Sequence, residues 1–198
     1  MAEPVREKVS FDSEPLILVD ENDNEVGYAS KSNCHQGHGT LHRAFSIFLF
    51  DEHGRVLLQQ RSAAKPLWPL YWSNSCCSHP RKGETMDQAT RRRLIEELGI
   101  DASLQFLYKF IYQADFAGGG AEHELCHVYI GRSSEGSVLV HPDEIADWRW
   151  VEPAVVTRGL RTSPEHYTPW FRLEWQELMD RWQDRIQRLQ LLDSSGVD

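Results

Sequence analysis

Residues 43–50 (RAFSIFLF) are an almost unbroken apolar run of strand length, the pattern of a strand covered on both faces. The polar Asp51-Glu52-His53-Gly54 turns it into a second strand over 55–60, and the two are expected to form a central antiparallel pair. Upstream, the apolar stretches 16–19 and 26–28 flank a turn-rich 20–24 and predict an entry hairpin. Residues 31–40 are polar and contain glycine, and 61–70 hold two prolines with no period, so both are predicted loops. Further strands are predicted over 104–112 and 124–130, around Gly118-Gly119-Gly120, and over 148–151.

Two stretches carry helical signals. Thr85-Met86-Asp87-Gln88 has the S/T-x-x-Q form, in which hydroxyl and amide satisfy orphan backbone donors, so a helix should begin there. It should close at Leu98, because Gly99 can take the left-handed conformation that ends a helix. Thr168-Pro169 places a cap residue before a proline at the first helical position. Phe171, Trp175, Leu178, Trp182, Ile186 and Leu189 then recur at helical spacing, which makes them core or interface residues. The alternation of strands with two helices reads as an α+β fold, a mixed sheet with the helices packed on it.

Length and charge narrow the picture. At 198 residues the chain suits a single domain. Its expected organisation is a flexible arm over 1–14, one domain over 15–192 and a disordered tail over 193–198. A net charge of −9 disfavours a nucleic-acid surface, so any functional cations must be local. Four cysteines, two of them adjacent, do not form a secreted disulfide framework, and no apolar run approaches the ~20 residues of a membrane span. A cytoplasmic protein with reduced thiols, no nucleic-acid or membrane partner, and a monomeric or weakly homodimeric state is expected.

The densest chemistry lies between Trp72 and Gly99, where a thiol, an imidazole, basic residues and carboxylates share one loop and helix. Glu96 and Glu97 fall in the helix's last turn, where the macrodipole disfavours anions. Arg92 and Arg93 one turn earlier would compensate as helix-face ion pairs; a divalent cation on a carboxylate is the alternative. On the later strand Glu122 and Glu124 share a face while His123 points away.

From Ser78 to Ile100 the stretch resembles the Nudix box, with Glu84, Arg92, Glu96, Glu97 and Gly99 in place, Ser78 for the usual opening Gly and Arg93 for the first Glu of the acidic cluster. Its flanks, His35 and His42, Trp72-Ser73-Asn74-Ser75, Cys77-Ser78-His79 and Glu122-His123-Glu124, resemble the type I isopentenyl-diphosphate delta-isomerases, from about residue 16 to the helix after Trp170. The resemblance implies a Nudix-type sandwich and an enzyme that moves a double bond between isopentenyl and dimethylallyl diphosphate through a tertiary carbocation. It implies Cys77 and Glu124 as the two acid/base groups, Tyr112 beside the glutamate and Trp170 facing the cation. Lys31, Arg61, Lys65 and Arg93 would bind the diphosphate. His35, His42, His79, Glu122 and Glu124 would hold one Mn²⁺, Zn²⁺ or Fe²⁺, and Glu97 a Mg²⁺ carried with the diphosphate; no flavin is implied. Two rivals stand beside this: a Nudix hydrolase of diphosphates, against which Arg93 argues, and a structural zinc site from Cys34-His35 with Cys77 and His79.

Overall fold

The computed structural model describes residues 8–133 and 138–191, so the tail expected over 193–198 lies outside the described residues. Strand β1 (Pro15–Val19) forms the entry hairpin with β2 (Glu25–Ser30), and a single short helix, α1 (Lys31–Cys34), begins the stretch predicted to be loop. Ser30 caps α1, its hydroxyl accepting from Asn33 N at 3.3 Å, which leaves His35 at the helix's end.

The apolar run is β3 (His42–Phe50), buried on both faces as its composition requires. Phe45, Ile47 and Leu49 pack toward α2 (Met86–Leu98), whereas Ala44, Phe48 and Phe50 pack toward α4 (Pro169–Arg181). The expected central pairing is corrected: β4 (Val56–Arg61) touches β3 only at Phe50↔Val56, then diverges to pair with β5 (Trp72–Ser73) and β9 (Ile145–Val151). In its place β3 runs antiparallel to β6 (Cys76–Ser78) on one side and parallel to β8 (Ala121–Arg132) on the other, over its full length. Sequence adjacency favours a hairpin; burial of both faces of β3 favours flanking by strands that can also carry helices on either side. β7 (Leu104–Asp115) closes the far edge against β8, and among the described residues the strands make one nine-stranded mixed sheet.

Helix α2 starts and stops as predicted. Thr85 Oγ1 accepts from Gln88 N while Thr85 N donates to Gln88 Oε1, and Gly99 takes φ 68°, where an added Cβ would come within 3.0 Å of Leu139. Two helical features differ from expectation. Helix α3 (Pro153–Thr162) was not predicted, although Glu152-Pro153 is a start signal. The last helical stripe is broken at Trp182 into α4 and α5 (Gln183–Leu191), because Trp182 turns to stack on Tyr108 of β7 at 5.8 Å. Among the described residues no helix is long and apolar enough to cross a membrane, and all four cysteines are free.

Candidate active site

The sheet register itself assembles the polar centre. On β8, Glu124 lies opposite His42 of β3 on one side and opposite Tyr112 of β7 on the other, and Glu122 shares its face two residues away. His79 follows β6, and His35 is brought in by the end of α1, whose carbonyl accepts from Ala121 N at 2.9 Å. That approach needs Gly120, at φ 92°, where a Cβ would lie 2.9 Å from the His35 oxygen. The three imidazole rings pack with centroids 4.8–5.7 Å apart.

His79 Nε2 and Glu124 Oε1 are 2.8 Å apart, His42 Nε2 and the same oxygen 3.7 Å, and His35 Nε2 and Glu122 Oε2 3.0 Å. His35 Nε2, His42 Nε2 and Glu122 Oε2 are buried without a hydrogen-bond partner among the described residues. One ligand atom from each of His35, His42, His79 and Glu122 falls within 4.8 Å of the others. Orphaned buried nitrogens and a carboxylate oxygen converging this closely fit a divalent cation. The electrostatics of His79 and Glu124 agree, whereas at His42 burial is outweighed by Glu124 and Glu122, which raise the ring above its ordinary value, so a cation would have to displace that proton. Burial, followed by the neighbouring His42, Lys31 and His35, pushes His79 well below its ordinary value, leaving the neutral ring a metal requires. Burial opposes ionisation of Glu124, but His42 and Tyr112 outweigh it and hold the carboxyl below its usual range.

This centre forms one wall of a cavity of about 50 Å³ that is also lined by Cys77, Tyr112 and Trp170. Cys77 lies opposite Ser46 and Glu124 opposite His42, so β6 and β8 carry them on either side of β3, two strand spacings apart across the sheet and four residues apart along β3, about 16 Å between backbone positions, and their side chains line the same cavity from its two sides. Burial, with the Arg61 charge opposing it, pushes the Cys77 thiol up to about 12, so it holds its proton. Tyr112 donates to Glu124 Oε2 at 2.6 Å. Trp170, at the start of α4, meets Trp68 edge-on at 5.3 Å and lies 5.2 Å from the Arg61 guanidinium.

Lys31, Arg61, Lys65 and Arg93 line the same cavity, so the expected cations do converge. Arg61 donates to the Leu67 and Trp68 carbonyls, which shapes the proline-rich loop around it. Lys31 donates to Ser10 Oγ at 2.6 Å and Arg93 to Val9 O at 2.8 Å, so residues 9 and 10 of the expected arm cross this end of the cavity. Arg92 and Arg93 also answer the question posed by the helix end. Arg92 pairs with Glu96 and Glu84, and Arg93 pairs with Glu96 at 3.1 Å and Glu97 at 2.5 Å. Glu97 is therefore buried behind Arg93 and does not line the cavity.

Cys34 and Cys76 are buried in the packing, and Cys34 does not join His35 in a thiolate site; its thiol is pushed up to about 11 by burial. Sequence reasoning missed two acids. Glu144 pairs with both Lys65 and Arg93, and Glu174 sits one turn beyond Trp170 in the core. Glu174 was detectable as a carboxylate inside an apolar helical stripe; Glu144 had no local signal.

Comparison with known proteins bears on most of the chain. A NUDIX domain family model matches residues 40–171. The chain is 48% identical over 155 residues to isopentenyl-diphosphate Delta-isomerase 2 of Aromatoleum aromaticum, covering 78% of this chain and 81% of that protein. It is 45% identical over 173 residues to isopentenyl-diphosphate Delta-isomerase of Serratia proteamaculans, covering 85% and 96%. Among solved structures, DR0079 from Deinococcus radiodurans is similar with a TM-score of 0.69 at 22% identity, over 83% of this chain and 98% of that one, a likeness of fold.

Proposed function

We propose, from the premise that this chain belongs to the Nudix family and to its isopentenyl-diphosphate Delta-isomerases, that it interconverts isopentenyl and dimethylallyl diphosphate at the cavity between Cys77 and Glu124. The observation that carries this reading is the convergence on one small cavity of a half-buried thiol, a buried carboxylate and an aromatic ring, with four cations at its edge. The reaction adds a proton to C4 of the alkene and removes one from C2 through a tertiary cation at C3, so it needs two proton-transfer groups flanking a flat C5 unit. Cys77 holds a proton at Sγ while Glu124 is ionised, so the thiol gives its proton to C4 and Glu124 takes one from C2, and proton exchange with solvent restores both groups before the next turnover. Tyr112 orients the Glu124 carboxylate through its 2.6 Å hydrogen bond. Trp170 offers its π face to the cation and, with Trp68, keeps water from trapping it.

Lys31, Arg61, Lys65 and Arg93 hold the diphosphate. His35, His42, His79, Glu122 and Glu124 would hold one Mn²⁺, Zn²⁺ or Fe²⁺, which would supply a positive charge that fixes and tunes the Glu124 carboxylate. A Mg²⁺ carried with the diphosphate would be held by Glu97 and would neutralise phosphate charge, but here Glu97 is paired with Arg93 and does not line the cavity, so no step is routed through that ion. The enzyme acts in the cytoplasm, as a monomer or weak homodimer. The test is incubation of the metal-supplemented protein with isopentenyl diphosphate. Dimethylallyl diphosphate should appear with solvent hydrogen incorporated, whereas phosphate release without isomer would replace this reading by a hydrolase.

A further inference from the structure

The four cavity cations are not equivalent in how they are held. Arg61 is fixed by backbone carbonyls and Lys31 by Ser10, while Lys65 projects from an irregular loop between β4 and β5. A lysine in such a loop would lose most of its rotamer freedom on meeting an anion unless something held it first. Glu144 does so. Its carboxylate pairs through Oε2 with Lys65 Nζ and, at 3.2 Å, with Arg93 Nη2. It is 4% exposed, it does not line the cavity, and Lys65 and Arg93 do. Its main chain is anchored independently, donating to His141 O at 3.0 Å and accepting from Ser62 N at 2.9 Å, so the carboxylate is a fixed point and the base of the Lys65 loop is tied to the same residue.

Arg93 is the second cation that Glu144 holds. It occupies the box position where an acid is usual, and at 3% exposure a guanidinium requires compensation. Glu97 supplies one charge from the same helix and Glu144 the other from the start of β9. We propose that Glu144 is a positioning residue for diphosphate binding: from behind the cavity wall it clamps Lys65 and Arg93 at a set spacing, so that the two cations meet the diphosphate already ordered. This rests on the isomerase reading of the cavity. Two opposing effects decide the sign. Removing Glu144's charge strengthens the bare positive potential, but it frees Lys65 to swing into solvent. Among the described residues the Lys65 ammonium has no other partner, whereas Arg93 keeps Glu96 and Glu97, so the loss of order at Lys65 dominates.

The test uses the full, metal-loaded protein with isopentenyl diphosphate as substrate and inorganic pyrophosphate as competitor. Loss of an orienting partner behind a ligand costs roughly 10–100-fold in affinity at metal sites, and the same range is expected here. Glu144→Gln should raise both KM and the pyrophosphate inhibition constant by that factor with kcat within about threefold, because the reacting carbons lie at the other end of the cavity. In a Lys65→Ala background the same substitution should change KM little, since its effect passes through the lysine. An unchanged or lowered KM, or effects of the two substitutions that simply multiply, would overturn the proposal. If Glu144→Gln does not fold, Glu144→Asp keeps the charge but withdraws it by one methylene, and it too must raise KM with kcat preserved; an unmoved KM overturns the clamp. Wild type that makes no dimethylallyl diphosphate defeats the isomerase reading instead, which separates the two failures.

Discussion

Replacing Tyr112 by Phe isolates one contact at the centre of the proposed chemistry. The hydroxyl donates to Glu124 Oε2 at 2.6 Å, and both side chains are buried. Burial and the adjacent Glu124 charge push the phenol well above its ordinary value, so it stays protonated and remains the donor. A hydrogen bond to a charged group contributes about 1.5–3 kcal/mol net. If that orientation is needed in the transition state, kcat/KM should fall roughly 10- to 150-fold, at about 1.36 kcal/mol per tenfold. The ring itself is kept, so packing against Phe110 and Trp170 survives and stability should change by less than about 1.5 kcal/mol. Steady-state kinetics with isopentenyl diphosphate, metal content by elemental analysis and thermal unfolding on the same preparation measure the three quantities. A kcat/KM within twofold of wild type at full metal content would refute the orienting role. A loss that tracks missing metal would place the hydroxyl's effect on cation retention instead.

Cys77→Ala should lower kcat by at least the ~10²–10⁴-fold typical of a positioned proton-transfer group while stoichiometric metal is retained; loss of the metal would instead make the thiolate a ligand. Arg93→Ala strands Glu97 as a buried unpaired carboxylate and leaves Glu144 with Lys65 alone, which should cost about 3–5 kcal/mol and lower Tm by roughly 6–20 °C in thermal melts; an unchanged Tm would contradict the charge compensation described. Glu174 gives a pH dependence of definite sign. Burial holds its carboxyl up to about 8, against 4.5 for an ordinary glutamate, so the folded state binds the extra proton and stability should fall as pH rises from about 4.5 to about 8. Glu174→Gln should flatten that slope in urea unfolding series and be more stable than wild type at pH 8; an unaltered slope would exclude Glu174 as its source. Glu144 has the opposite sign. Burial disfavours its charge, but Lys65 and Arg93 hold the carboxyl at about 2, so its stabilisation is present above about 4.5 and should disappear as pH falls toward 2, a loss that Glu144→Gln should lack.

What the sequence determined is what depends on near neighbours. The box helix was legible to the residue because its capping box and Gly99 act within one turn, and β3 was legible because a run with six apolar residues in eight must be covered on both faces. The donor types of the site were legible for a similar reason: imidazoles, carboxylates and a thiol carry their chemistry wherever they stand. Which of them meet was decided by the tertiary structure. Parallel pairing of β3 with β8 sets His42 beside Glu124, although sequence order favoured β4 as the partner of β3. Stacking of Trp182 on Tyr108 broke a helical stripe that looked continuous. Glu144 lies 79 residues from Lys65, and although Glu174 falls inside the apolar stripe of its helix, its burial is decided only when that helix docks. Local signals arise from hydrogen bonds and side-chain sterics that span a few residues, and they are written into the chain. Sheet register and the partners of buried charges follow from minimising exposed apolar area and unpaired polar groups over the whole fold, a balance that no short stretch of sequence contains.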